Sequence, residues 1–349
     1  MTNAASPHAI AAVLRPLDPA YAPTPLRDLP GLAARLGVAQ LLAKDESPRM
    51  LGSFKSLGGT YAGLKALARA AGMDLPDLLA RRPGGQPALV CASDGNHGLA
   101  VAAAARFAGA PARVFLHEGV PAARARRIAD QGAAITWVAG TYDDAVDAAA
   151  AAAREGGAIL VADTTDDPGD PVVRDVMAGY GVLAAEIRDQ AAAAGPARPT
   201  HLFVQAGVGG LAAAVADGLA GWLAPPGLVV AVEPTAAACL PAALAADRPV
   251  RVPGALHTAA EMLSCGEASA PALTVLRRHG ARVVTVSEPG LTAAPGILAE
   301  HGGPPTTPSG AAGLAGALTA LADPGLAREL GLDRESRILV LVTEGALAA

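Results

Sequence analysis

Lysine is nearly missing from this chain: only Lys44, Lys55 and Lys65 occur among its 27 basic residues, and the other 24 are arginine. Aromatic residues are scarce as well, at 3%. The three cysteines follow no metal-ligand spacing, which argues against a zinc centre or a disulfide framework. The formal net charge is −5, and no basic patch interleaves with aromatics, so a nucleic-acid partner is not expected. No apolar window is long and strong enough for a membrane span; the alanine-rich runs at 99–105 and 147–153 are short and flanked by charge. Residues Met1 to His8 lack a basic start followed by an apolar stretch, so no secretory signal is expected. These bounds fit a cytoplasmic enzyme, and equally a soluble binding module.

What is present is a large apolar fraction, 52% of 349 residues, much of it alanine. A chain of that length buries a large core and is expected to form two lobes. Short β-like runs at 87–92, 112–116, 134–138, 158–162, 201–205, 228–233, 282–286 and 337–343 alternate with helical stretches at 97–108, 121–131, 141–154, 172–194, 210–223 and 310–322. Continuous apolar strands separated by helices predict an α/β fold with mainly parallel sheets covered on both faces. Such sheets carry ligand loops at the carboxyl ends of their strands.

Three of those loops, and one lysine, carry chemistry. Lys55 sits in Ser53-Phe54-Lys55-Ser56-Leu57-Gly58-Gly59-Thr60-Tyr61. Arginine supplies charge but cannot lose a proton near neutral pH, so a retained lysine is a candidate imine-forming amine, or else an ordinary surface lysine. The strand at 87–92 is followed by Ser93-Asp94-Gly95-Asn96-His97-Gly98, opening a helix whose first amides suit a carboxylate or phosphate. Helix capping by Ser93 or Asp94 explains part of this turn and leaves Asn96 and His97 unexplained. After 201–205 comes Gln205-Ala206-Gly207-Val208-Gly209-Gly210-Leu211, a backbone-amide nest for a phosphate. The last strand ends in Val342-Thr343-Glu344-Gly345. Together these are the parts of a pyridoxal phosphate site: an amine, an asparagine for the ring hydroxyl, a nest for the phosphate and a hydroxyl, Thr343, for the ring nitrogen.

The order and spacing resemble the fold-type II pyridoxal-phosphate enzymes, the superfamily of the tryptophan synthase β-chain and threonine dehydratase, over residues 20–345. Within it the chain looks most similar to the diaminopropionate ammonia-lyases. The matching segments are Phe54 to Ala62, Asp94 to Gly98, Ala162-Asp163-Thr164, Met177-Ala178-Gly179-Tyr180-Gly181, Gln205 to Gly209, Val232-Glu233-Pro234, Ser264-Cys265-Gly266-Glu267 and Thr343-Glu344-Gly345. The resemblance implies a small lobe over 50–170, holding the lysine and the Ser93–Gly98 turn, and a large lobe over 1–49 plus 171–349, holding the glycine-rich loop. It implies that Phe54, Lys55, Asn96, Gly207, Val208, Gly209, Gly210, Leu211 and Thr343 bind the cofactor, and that Ser93, Asp94, Gly95 and His97 receive the substrate. A homodimer is implied too, and no metal.

The reaction so implied is α,β-elimination on a diamino acid such as 2,3-diaminopropionate, giving pyruvate and ammonia. Lys55 acts as base at Cα, with Asp94 and Asp163 as carboxylates facing the second ammonium; Asp94 protonates the leaving amine, or takes the proton from the opposite face of a D-isomer. A hydroxyl leaving group needs no such counter-charge. The segment Pro308-Ser309-Gly310 reads more like a dehydratase, so a serine/threonine-type dehydratase or a β-replacement synthase is the alternative. A catalytically silent binding protein of the same fold has no need of Lys55, Asn96 and the glycine nest together. Cys239 and Cys265 flank matched segments and are expected as buried thiols.

Overall fold

The computed structural model describes residues 5–93, 95–195 and 197–346. Ten strands carry the frame: β1 (Leu26–Asp28), β2 (Gln40–Asp45), β3 (Ala88–Ala92), β4 (Ala112–His117), β5 (Ala134–Val138), β6 (Ala158–Leu160), β7 (His201–Gln205), β8 (Leu228–Pro234), β9 (Arg282–Val286) and β10 (Arg337–Val342). They form a six-stranded sheet, β1-β2-β10-β7-β8-β9, and a four-stranded sheet, β5-β4-β3-β6. Every pairing is parallel except β1 with β2. The expected α/β class with mainly parallel sheets is therefore what the chain adopts. All eight expected strands are present. β1 and β2 are additional, and β2 ends in Lys44 and Asp45, two charges in a strand that is nonetheless buried from Leu41 onward.

The chain divides into two compact units. One comprises Met1–Ala22, Lys55–Thr165 and Gly169–Val182, and contains the four-stranded sheet; the other comprises Pro23–Phe54, Asp166–Pro168 and Leu183–Ala349, and contains the six-stranded sheet. Segments 1–22 and 171–182 thus group with the lysine-bearing unit, where the sequence placed them with the larger lobe, and 50–54 and 166–168 group the other way. Glycine accounts for the placement of 171–182. A Cβ at Gly58 would lie 2.3 Å from Tyr180 Cε1 and 2.6 Å from the Val176 carbonyl, so only a bare backbone lets that segment seat on helix Lys55–Ala71.

In the larger unit, β7 and β10 sit mid-sheet and are buried almost throughout. Helices Pro30–Leu36, Glu288–Glu300 and Ala312–Ala322 pack Leu32, Leu291, Leu298 and Leu314 into the core on which Phe203, Val232 and Val340 converge. No helix among the described residues is long and apolar enough to cross a membrane.

Two of the three lysines have structural duties. Lys44 is fully buried, and its three ammonium protons are matched by the Thr24 carbonyl (2.7 Å), Glu186 Oε2 (2.7 Å) and Gln190 Oε1 (3.0 Å). A compact ammonium fits that triad where a planar guanidinium would not. Arg49 joins the same cluster, bonding Glu186 at 2.9 and 2.7 Å and Glu46 at 2.7 and 2.8 Å. Lys65 Nζ lies 2.6 Å from Asp175 Oδ1 and over the Tyr61 ring.

Burial opposes the charge on Glu186, but hydrogen bonds and charge from Arg49 and Lys44 prevail and lower its pKa. A carboxyl so lowered contributes stability that is present above its ordinary pKa and is lost as pH falls through the folded value. Glu186→Gln should therefore cost about 3–5 kcal/mol in denaturant unfolding near pH 7, with less difference between the two proteins under acid conditions. A pH-independent difference would contradict this assignment.

Candidate active site

Glycine and alanine set the helix that begins at Lys55 in place. Helix Lys55–Ala71 packs against helix Asn96–Ala108, with a Cβ at Gly59 falling 2.7 Å from Ala100 Cβ and one at Gly63 falling 2.8 Å from Ala104 Cβ. Residues four apart stack on one helix face, so these two matched pairs mean that the helices run parallel. Lys55 precedes Gly59 by one turn, as Asn96 precedes Ala100. The two predicted cofactor residues of this unit thus open neighbouring helices at the same level.

Lys55 Nζ donates to Asp163 Oδ2 at 2.5 Å; the two side chains are 21% and 11% exposed. Asp163 lies just beyond β6. Its burial resists ionisation, but the charge and hydrogen bond of Lys55, with the nearby His97 ring, hold the carboxyl well below the ordinary range. Tyr180, absent from the predicted set, completes the surroundings of the amine. The Lys55 ammonium lies 6.0 Å from the centre of its ring, and burial pushes the phenol's pKa up to about 12, so it stays protonated. The Met177–Gly181 segment was legible as a match, but nothing in it showed that the tyrosine would meet the lysine.

His97 was expected to receive the substrate. The structure buries its ring and bonds Nε2 to the Val161 carbonyl at 2.7 Å. A carbonyl only accepts, so Nε2 bears the proton, and Nδ1 has no hydrogen-bond partner among the described residues, 4.0 Å from Asp163 Oδ2. Burial lowers its pKa, with Lys55 adding to the effect and Asp163 opposing it. His97 ties helix 96–108 to the strand exit that carries Asp163. Ser93 Oγ accepts from the amides of Gly95 (2.9 Å) and Gly98 (2.8 Å). These two amides are occupied, which leaves the serine O–H as a donor of this turn. Gly95 has φ +153°, where side chains other than hydrogen are strained, and Asn96 is half-buried. Asp94 lies outside the described residues.

The larger unit supplies the second set. Gly209, at φ +92° and ψ −8°, turns β7 into helix Gly210–Leu219. The amides of Gly207, Val208, Gly209 and Gly210 reach no protein acceptor among the described residues. The loop is held from behind: the Val208 carbonyl accepts from Ser269 N at 2.9 Å, and the Gly207 carbonyl accepts from Cys239 Sγ at 3.5 Å. Cys265 Sγ lies 2.9 Å from where a Gly207 Cβ would be, so both thiols back the same glycine, and neither is in a disulfide. Glu233, at the end of β8, is buried beside them and accepts from the amides of Cys239 and Leu240; burial pushes it up to about 7.

Thr343 follows β10 and is 4% exposed. Its backbone carbonyl accepts from Phe54 N at 3.1 Å, and Ser53 pairs with Glu344, so the last residues before the lysine helix are strand-paired to the end of β10. Gln205, a polar residue at the end of β7, reaches the Thr343 hydroxyl at 3.0 Å through Nε2. The same nitrogen faces the carbonyls of Ser309 (3.1 Å), Gly310 (2.9 Å) and Leu341 (3.3 Å). Sequence reasoning gave Gln205 no role, although a glutamine closing an apolar strand was the visible cue.

The chain belongs to the pyridoxal-phosphate dependent enzyme family, whose model matches residues 17–344. It is 34% identical to the diaminopropionate ammonia-lyase of Salmonella typhimurium, over 94% of this chain and 86% of that one. Its fold superposes on the holo diaminopropionate ammonia-lyase of Escherichia coli with a TM-score of 0.87 at 28% identity, covering 98% of this chain and 91% of the other. A structure of the same Escherichia coli protein in complex with D-serine also superposes at 0.87, with 30% identity over 97% of this chain and 88% of the other.

The residues present fit the cofactor. Four unpartnered amides on a glycine loop suit a phosphate, a small hydroxyl closes a strand end, and one lysine amine has a carboxylate and a phenol for neighbours. Gly209→Ala places a side chain at φ +92° with its Cβ 3.3 Å from Ala272 Cβ, a strain of about 1–2 kcal/mol. If that strain falls on the nest, pyridoxal phosphate binds about 5–30-fold more weakly. Titration of the apoprotein followed by visible absorbance measures it, and unchanged affinity would show that the loop does not hold the cofactor.

Proposed function

We propose that this chain catalyses pyridoxal-phosphate-dependent elimination of ammonia from a diamino acid of the 2,3-diaminopropionate type, releasing pyruvate and ammonia. The observation that carries the reading is the Lys55–Asp163 pair: an anionic carboxylate held within reach of the one lysine placed for chemistry. Pyridoxal phosphate, when bound, supplies the electron sink that makes the Cα proton removable. Lys55 would hold it covalently, with Asn96 at the ring hydroxyl, Gly207 to Leu211 at the phosphate, Thr343 at the ring nitrogen and Phe54 alongside.

The protein's part is proton placement. The Lys55 amine takes the proton from the substrate Cα, and the fixed charge of Asp163 steadies the ammonium that results. The Lys55 ammonium keeps Asp163 anionic against its burial, and the second ammonium of a diamino acid would take that cation's place while Lys55 serves as base. That ammonium leaves as neutral ammonia without further protonation. Tyr180 keeps its proton and walls the lysine nitrogen with its ring, exchanging no proton with it. Ser93 presents its O–H to the substrate carboxylate, since its oxygen already accepts two amides. Asp94 is assigned as a second carboxylate facing that ammonium, or to the opposite face of a D-isomer. A cytoplasmic homodimer accompanies this reading.

The dehydratase alternative leaned on Pro308-Ser309-Gly310. Ser309 is 4% exposed, accepts from Met262 N through Oγ and from Gln205 through its carbonyl, and so acts as scaffold. Its presence does not favour a hydroxyl leaving group.

A panel of amino acids in both enantiomers, assayed for 2-oxo acid and ammonia, tests the proposal. Diaminopropionate should be the preferred substrate, and preference for serine or threonine would overturn it. Asp163→Asn should lower kcat on diaminopropionate by about 10²–10⁴-fold, with a smaller loss on serine. Equal losses on both would remove the counter-charge role.

A further inference from the structure

Gln205 is the most over-committed side chain in the larger unit. Its Nε2 has four oxygens within hydrogen-bond distance, while its buried Oε1 has no partner among the described residues. The amide cannot be turned round. Three of the four neighbours are backbone carbonyls, which only accept, and a flipped Oε1 would face them oxygen to oxygen. The orphaned Oε1 is the cost of satisfying that carbonyl cluster.

The orientation fixes the fourth contact. An amide nitrogen has no lone pair to offer, so a hydroxyl oxygen 3.0 Å away can only accept from it. Thr343 Oγ1 is therefore an acceptor toward Gln205. Its proton has to point elsewhere, and it has no other side-chain or backbone partner among the described residues. We propose that Gln205 is a positioning residue that sets the direction of the Thr343 hydroxyl, compelling it to donate outward to the ring nitrogen of pyridoxal phosphate.

This rests on the reading that Thr343 meets that nitrogen. The nitrogen then stays unprotonated and accepts a hydrogen bond. Were the hydroxyl free to reverse, it could accept from a protonated ring nitrogen instead, and the cofactor would become a stronger electron sink. Gln205 thus selects the weaker sink, which suits prompt loss of a β-substituent over transamination. Ser93 uses the same logic, because two amide donors on its oxygen leave its proton for a partner.

The test is nitrogen-15 NMR of apoprotein reconstituted with pyridoxal phosphate labelled at the ring nitrogen. The wild type should show an unprotonated, hydrogen-bonded nitrogen. Thr343→Val removes the donor and marks the shift of a nitrogen without one. Gln205→Met keeps the volume, removes the amide and opens the Gly310 and Leu341 carbonyls to the Thr343 hydroxyl, so its resonance should move toward that of Thr343→Val. A Gln205→Met resonance identical to wild type, with Thr343→Val shifted, would overturn the inference alone. A Thr343→Val resonance identical to wild type would overturn the placement of Thr343 and the inference with it. If Gln205→Met does not fold, the wild-type Gln205 side-chain amide decides. One of its two proton resonances should move upfield in Thr343→Val, and no movement overturns the inference.

Discussion

An ammonium and a carboxylate 2.5 Å apart, both mostly out of water, impose conditions on everything around them. Neither ion is tolerable alone at such a place, since desolvation of an unpaired charge costs several kcal/mol. The pair must be brought together by rigid elements and closed in by groups that neither compete for the proton nor admit bulk solvent. The lysine unit meets these conditions with parallel helices in glycine–alanine contact, a histidine locked to the strand that leads to Asp163, and a tyrosine admitted by a missing Cβ at Gly58.

The larger unit is organised around acceptors and donors that have no protein partner. Its glycine loop presents amides outward while Ser269 and Cys239 hold the loop's carbonyls from the other side. Gln205 gathers the ends of β7 and β10 and the 309–310 turn onto one amide. Unmet hydrogen-bonding capacity is costly in an interior. Its concentration at the carboxyl ends of parallel strands falls where open parallel sheets place their ligands.

Much of this was legible in the residues. Continuous apolar runs gave all eight expected strands, because strands buried on both faces need no polar alternation. The glycine loop, Lys55, Asn96 and Thr343 were legible because each is a residue type the chemistry requires, placed at a strand or helix end. β2 was not legible, since Lys44 and Asp45 look like a loop until Glu186, Gln190 and Thr24 are seen to neutralise the lysine. Tyr180, Gln205 and the inward turn of His97 depend on contacts between residues far apart in the chain, and no local pattern reports them. The scarcity of lysine first pointed to Lys55, yet Lys44 and Lys65 also have definite partners. Scarcity marked all three, and only geometry separated the reactive one from the other two.

That separation is open to direct measurement. Borohydride reduction of the holoprotein fixes pyridoxal phosphate to whichever amine it occupies, and peptide mapping by mass spectrometry locates the adduct. The account predicts a single modified peptide with the label on Lys55. A label on Lys44, on Lys65 or on no lysine would contradict it.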